Sequence, residues 1–300
     1  LFVLIQYFCR DYYTYDKWHP SLHIDFSPIR KMFSFSVKIL ITSIINTINS
    51  NVLTFIIGHK FPMAAVGNFT QANKWNTMAY STISGTIEQV AQPVLAQITD
   101  DNEREKRVFR KLMRFTAFFS FPALFGLSLV SQEFILLTIG EKWAECIPML
   151  QVLCIGGAFF AFNTMYQQLA ISSGRSDIYM WCNIVQIILQ IALILVSCNY
   201  GIFTMVIAYT VFSILWLGVW QWQAHRIIGL RLRDALSDTM PFMLSAAAVM
   251  VATYFITLPI RNLWLLFPLR IIIASALYFA IMKIANAEIL NECIRFVRKK

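Results

Sequence analysis

From residue 36 onward the chain alternates long apolar stretches with short polar breaks. Eight stretches stand out, at about 36–57, 75–97, 113–134, 146–170, 178–198, 202–222, 239–258 and 263–283. Each approaches the roughly 20 apolar residues that a helix needs to cross a bilayer. The pattern predicts an all-α, polytopic membrane protein. Leu1–Phe8 reads as the last turns of a preceding span, so an N-terminal membrane portion is expected upstream. Residues 9–25, polar, aromatic and broken by Pro20, read as a connector. From Ile24 to Phe35, apolar residues alternate with Arg30 and Lys31, which suits an interfacial amphipathic helix.

The spans differ in their faces. On a helical wheel the first places Ile41, Ile44, Ile45, Ile48, Val52, Phe55 and Ile56 on one side. Thr42, Ser43, Asn46, Thr47, Asn49, Ser50 and Asn51 occupy the other. So wide a polar face does not suit lipid and predicts a cavity wall, or otherwise a set of interhelical hydrogen bonds. The second span repeats the design. Ile83, Ile87, Val90, Val94 and Ile98 form a lipid stripe, against Thr77, Ser81, Ser84, Gly85, Glu88 and Gln92. Glu88 reads as the one carboxylate well inside a span, the other acidic residues falling in loops or at span ends. A charge at that depth costs at least about 2.5 kcal/mol, so it needs a partner or a role, such as carrying a coupling proton or cation. Pro93 loosens the helix there and is the candidate hinge.

Polar residues thin out afterwards. Asn163 and Gln167 share a face at i, i+4, and Asn183, Gln186 and Gln190 share another. Such amides suit packing contacts, or sugar hydroxyls if a cavity reaches them. The expected cavity-lining set is therefore Glu88, Asn46, Asn49, Ser50, Ser81, Ser84, Gln92, Asn163 and Gln167. Arg270 lies about seven residues into the last span, shallow enough to snorkel outward. Trp216, Trp220 and Trp222 read as an interfacial belt. The last two spans, nearly all apolar, read as peripheral. Ser172–Asp177 and Asn199–Gly201 read as tight turns, and the charged 99–114 segment as a loop with a solvated helix start at Asp100 and Asp101.

Charge gives the spans a direction. Loops on one side carry only Lys60, Lys74, Lys142 and Arg261, and Arg270 is inside a span; the remaining 20 of the 25 Lys and Arg lie on the other side or in the tails. That skew is the positive-inside pattern and predicts a cytoplasmic C-terminus. It also accounts for the net charge of +9 without invoking nucleic acid. Only 14% of residues are charged, well below the roughly 25% of soluble domains. The six cysteines form no C-x-x-C pair, and no metal-ligand spacing, nucleophile elbow or phosphate-binding glycine loop occurs. No catalytic residue, cofactor or metal is expected.

Several short motifs also look familiar. They are Trp18-His19-Pro20 through Phe33-Ser34-Phe35-Ser36, Ile56-Ile57-Gly58-His59-Lys60, Ala65-Val66-Gly67, and Gln92-Pro93-Val94-Leu95 before Thr99-Asp100-Asp101. Phe121-Pro122-Ala123, Ile139-Gly140-Glu141-Lys142-Trp143 and Ser173-Gly174-Arg175-Ser176-Asp177 come next. In this order the set resembles bacterial polysaccharide repeat-unit flippases of the O-antigen or teichuronic type, the Wzx-like members of the MOP exporter superfamily. Residues 200–300 resemble them only in hydropathy. The resemblance implies a second six-helix bundle at 36–222, with two terminal helices and a basic tail at 223–300. It further implies a bacterial cytoplasmic-membrane transporter of undecaprenyl-pyrophosphate-linked oligosaccharide, working by alternating access among membrane lipids and other polysaccharide-assembly proteins. The family often uses cationic cavities for the pyrophosphate, whereas the two most polar spans here hold only Glu88 at mid-membrane. A multidrug or other lipid exporter of the same superfamily is the alternative. A membrane glycan polymerase or acyltransferase would need a larger outer loop, since none here exceeds about 18 residues.

Overall fold

The computed structural model describes residues 56–98, 101–260 and 262–285, with single positions between 33 and 47 and at 289–290. By packing the chain falls into residues 1–37 and 38–300, and every long helix belongs to the second unit. The connector, the amphipathic segment before residue 33, Asn46, Asn49, Ser50 and the basic tail lie outside the described residues. Of the described residues of the first span, Thr42 is buried, whereas Ile41, Ser43, Ile44 and Thr47 are exposed, so exposure there does not follow the two expected faces.

Among the described residues the fold is helical, with seven long helices: α1 (Met63–Ala96), α2 (Asn102–Thr138), α3 (Cys146–Ser172), α4 (Ser176–Ser197), α5 (Ile202–Ile228), α6 (Leu232–Thr257) and α7 (Leu263–Ile284). Six of them, α2 to α7, are long and apolar enough to cross a membrane. α1 is not among these, because its polar face lowers its hydropathy.

Three helices start earlier than hydropathy suggests: α6 at Leu232 rather than near 239, and α1 and α2 by more. α1 begins at Met63 rather than near 75. The 99–114 segment is no loop: α2 begins at Asn102, capped by the Asp101 carboxylate, which accepts from the Arg104 N–H. With 37 residues, α2 is ~55 Å long at 1.5 Å per residue. That exceeds the roughly 30 Å of hydrocarbon, so its charged first turns project beyond it. Both predicted tight turns are present. Gly174 (φ +71°) joins α3 to α4, and Gly201 (φ +100°) follows a short 3₁₀ turn before α5. Positive φ is cheap only for glycine.

Specific contacts define the packing. α1 and α3 run parallel: Asn68 meets Glu145, Tyr80 meets Phe160, and Glu88 meets Gln168. α3 and α5 also run parallel, through Gly156–Thr210 and Tyr166–Gln221. α2 crosses antiparallel to α3, donating from Ser120 to the Ala158 carbonyl and from Ser128 to that of Gln151. α6 and α7 then cover α2, with Phe118 at the centre of an aromatic cluster with Phe242, Tyr278 and Phe279.

This terminal pair is attached more firmly than a peripheral reading allows. The Arg270 guanidinium does not snorkel. It is 7% exposed and donates to Glu133 Oε1 at 2.7 Å, to Thr257 Oγ1 at 3.1 Å and to the Leu129 carbonyl at 3.3 Å. Glu133 is 2% exposed, so Glu88 is not the one carboxylate inside the helical bundle. At the other end of α2, Arg110 donates to both oxygens of Asp238 (2.6 and 3.2 Å), and Arg114 lies 3.8 Å from it. The tryptophan belt is likewise corrected. Trp216 and Trp220 pack inside, and Trp222 stays half exposed with the Arg226 guanidinium 3.8 Å above its ring.

Candidate functional site

α1 is unusual because its two long faces are occupied by different chemistry in opposite surroundings. The buried face carries Phe69, Ala72, Asn76, Ile87, Ala91 and Leu95 against the bundle. Ile87, expected in a lipid stripe, is therefore core; Val90 and Val94 are exposed as expected. On the opposite side Thr70, Lys74, Ser81, Glu88 and Gln92 recur every three to four or seven residues, and all are exposed. Thr77 and Gly85 fill the gaps, half-buried. From Thr70 to Gln92 the stripe extends ~33 Å along the axis. A row of polar side chains this long, turned away from the core at membrane depth, belongs against water or a polar partner.

The hydroxyls of this face point their protons inward. Thr70 donates to the Val66 carbonyl and Ser81 to that of Met78; Thr82 and Thr86, farther around the helix, donate to the Met78 and Thr82 carbonyls. Their oxygens keep lone pairs with which they can accept further hydrogen bonds. Glu88 adds a carboxylate and Lys74 an ammonium about four turns away. Pro93 sits within an unbroken helix that continues to Ala96.

Behind this wall, the parallel α1–α3 contact forms a polar seam. Asn68 donates to Glu145 Oε2 at 2.8 Å, and Gln168 to Glu88 Oε1 at 3.2 Å. Between them, Asn76 Oδ1 lies so close to Gly157 that an added Cβ would come within 2.3 Å. Asn76 Oδ1, Ser84 Oγ, Asn163 Oδ1 and Gln168 Oε1 are buried without a hydrogen-bond partner. Buried polar atoms of this kind are uncommon and each needs a reason.

The site residues expected from sequence thus separate. Ser81, Glu88 and Gln92 share the open stripe. Ser84 and Asn163 are turned into the helix contacts, and Gln167 is half-buried and donates to Asn183 Oδ1 at 3.4 Å. Sequence reasoning passed over Lys74 and Gln168. The seven-residue spacing of Lys74, Ser81 and Glu88 could have found the first. Nothing in a single sequence pairs Gln168 with Glu88.

The motifs that carried the resemblance also meet in space. The Trp143 ring of the Gly-Glu-Lys-Trp turn lies over Gly67, where a Cβ would be 3.5 Å away. Ser173 of the α3–α4 turn donates to the buried Glu105 at 3.4 Å.

The described residues form an all-α bundle of membrane-length helices with one polar wall, and comparison with known proteins agrees with that class. Residues 4–148 match the family described as "Polysaccharide biosynthesis protein". An uncharacterized membrane protein in the cps region of Klebsiella pneumoniae is 32% identical over 195 residues, covering 65% of this chain and 39% of that protein. The teichuronic acid biosynthesis protein TuaB of Bacillus subtilis (strain 168) is 27% identical, covering 79% and 49%. The lipopolysaccharide biosynthesis protein WzxC of Escherichia coli (strain K12) is 30% identical, covering 65% and 39%. These matches bear out the resemblance: the chain is similar to the Wzx-like polysaccharide biosynthesis proteins, and it is a multi-pass bacterial membrane protein. It spans two-fifths to one half of the length of these relatives. Its fold is shared with the lipid II flippase MurJ in an inward closed conformation, at a TM-score of 0.67 and 15% identity, over 90% of this chain and 57% of that one.

Proposed function

We propose that this chain is a membrane portion of a transporter. It flips undecaprenyl-pyrophosphate-linked oligosaccharide repeat units across the bacterial cytoplasmic membrane, for surface polysaccharide or lipopolysaccharide assembly. The observation that carries the reading is the open polar stripe of α1 within an otherwise apolar bundle. Sugars cannot cross hydrocarbon unaided, and a wall of free lone pairs replaces their hydration. The wall comprises Thr70, Ser81, Glu88 and Gln92, joined by Asn46, Asn49 and Ser50 of the preceding span. Asn163 and Gln167 lie on the neighbouring helix.

In this reading Glu88 carries the coupling proton or cation. It is accessible from the open face and held by one hydrogen bond from Gln168. Residues 36–222 form the moving bundle and 223–300 the terminal pair and tail. Bending near Pro93 lets the lower end of α1 swing as access alternates. The skew of basic residues among the loops supports a cytoplasmic C-terminus. Other polysaccharide-assembly proteins receive the flipped product, and no step requires catalysis by this chain.

The test uses the full-length protein in its own host. Deleting the gene is expected to abolish surface polysaccharide while lipid-linked precursor accumulates on the inner leaflet. Wild type restores export, and Glu88→Gln restores it several-fold less well. Unchanged surface polymer after deletion overturns the transporter reading. Full export by Glu88→Gln overturns only the coupling role.

A further inference from the structure

Where α1, α3 and α5 meet, the bundle contains a polar cavity of about 40 Å³, separate from the open stripe of α1. Its floor is formed by Asn76 and Thr210, 5% and 4% exposed, whose Oδ1 and Oγ1 have no hydrogen-bond partner. Two adjacent glycines keep this floor open. A Cβ on Gly156 would come within 2.8 Å of Thr210 Cγ2, and one on Gly157 within 2.3 Å of Asn76 Oδ1. On the walls, Asn73 brings a further amide. The Ser213 hydroxyl there donates to the Tyr209 carbonyl at 2.9 Å, leaving its lone pairs available.

The mouth has different chemistry. Tyr80 and Phe160 form it, with ring centroids 4.3 Å apart and tilted by 39°. Phe160 is 40% exposed, the most open of the lining residues. An aromatic mouth over a floor of unpartnered amide and hydroxyl oxygens suits neither a lipid chain nor a packed side chain. A hydrocarbon occupant would leave the floor unsatisfied, at a cost of about 1–3 kcal/mol per group. The matching ligand has a C–H face and hydroxyl arms together, which is the chemistry of a pyranose. The volume decides how it sits. A water takes roughly 30 Å³, so the cavity admits one hydroxyl or hydroxymethyl arm and not a ring.

We propose that this junction is a sugar subsite of the transported oligosaccharide, a proposal that rests on the transporter reading. One ring stacks its C–H face on Phe160 beside Tyr80, and its exocyclic hydroxyl arm enters the cavity. That hydroxyl donates to Asn76 Oδ1 and accepts from Thr210.

The probe is the free repeat-unit oligosaccharide released from the host polysaccharide, added to the full-length protein in nanodiscs. Saturation-transfer-difference NMR is expected to show transfer to the ring protons. Phe160→Leu lowers it roughly fivefold, the change that corresponds to losing an aromatic contact worth about 1 kcal/mol. Phe160→Tyr retains it. Thr210→Val selectively weakens the signal of the exocyclic protons, and the exposed control Phe255→Leu on α6 changes nothing. Thermal unfolding establishes that each variant is folded. Equal transfer in wild type and Phe160→Leu overturns the subsite, as does no transfer from a protein that restores surface polymer; the cavity then holds water only. Loss of the gene without loss of polymer sinks the transporter reading instead, so the two failures are distinct.

Discussion

α2 and α1 both bring charged or polar side chains to membrane depth, and they treat them in opposite ways. On α2 the charges are paired. Glu133 meets Arg270, and Arg110 and Arg114 meet Asp238, each partner coming from the terminal helices. On α1 the polar groups are left open. Glu88 accepts a hydrogen bond from Gln168, its stripe is exposed, and the seam behind it contains several unpartnered buried atoms. The closed set costs desolvation and returns rigidity, since an ion pair away from water stabilises only when both partners are present. The open set has no such return among the described residues, which is why a ligand is proposed as its partner. Polarity at membrane depth alone does not mark a functional site; unmatched polarity does.

The contrast predicts a ranked series of stability changes. The largest comes from Arg270→Leu, which leaves the Glu133 carboxylate buried without its cation. A loss of about 3–5 kcal/mol is expected, read as a fall in thermal unfolding temperature. Glu133→Leu combined with Arg270→Leu recovers most of it. If the double variant is no more stable than the single, the pair is not the fastening proposed. Next comes Gly157→Ala, whose methyl would overlap Asn76 Oδ1; about 1–3 kcal/mol is expected. Gly85→Ala, with no atom within 4 Å of its added Cβ, is the matched control. Equal effects from both glycines would mean that α1 and α3 do not meet at Gly157.

A smaller effect is expected from Arg110→Ala. The Arg110 side chain is 34% exposed, so solvent screens its bond to Asp238, and about 1 kcal/mol is expected, diminishing as salt rises. An effect as large as that of Arg270→Leu, or one indifferent to salt, would show that both ends of α2 are equally dry.

Much of this fold could be read from hydropathy, because spanning helices must bury a fixed length of apolar chain. The stretches at 146–170, 178–198 and 263–283 lie within a few residues of α3, α4 and α7. The early starts of α1 and α2 could not be read that way, since residues 63–74 and 102–112 are helical yet too polar to register as spans. The polar stripe of α1 was legible from spacing alone. The neighbours that each side chain meets were not. Glu133 and Arg270 are 137 residues apart, and both seemed harmless near their helix ends. Ser84 and Asn163 passed for cavity residues because a helical wheel gives direction but does not say which neighbour fills it.

The smallest change in stability should be the most informative. Glu88→Gln replaces one carboxylate oxygen with an amide of the same shape, on an exposed face where the hydrogen bond from Gln168 can persist through the remaining oxygen. Substitutions at such positions usually stay within about 0.5 kcal/mol. The unfolding temperature should therefore barely move, whereas export falls several-fold because the amide neither binds nor releases a proton. Glu133→Gln is the mirror case, since it weakens a buried pair without touching the open face. Its unfolding temperature should fall, and export per folded molecule should hold. The comparison fails if the two variants exchange behaviours. A large loss of stability from Glu88→Gln would mean that the open stripe is held by a contact within the fold, and α1 would then be one more fastened helix.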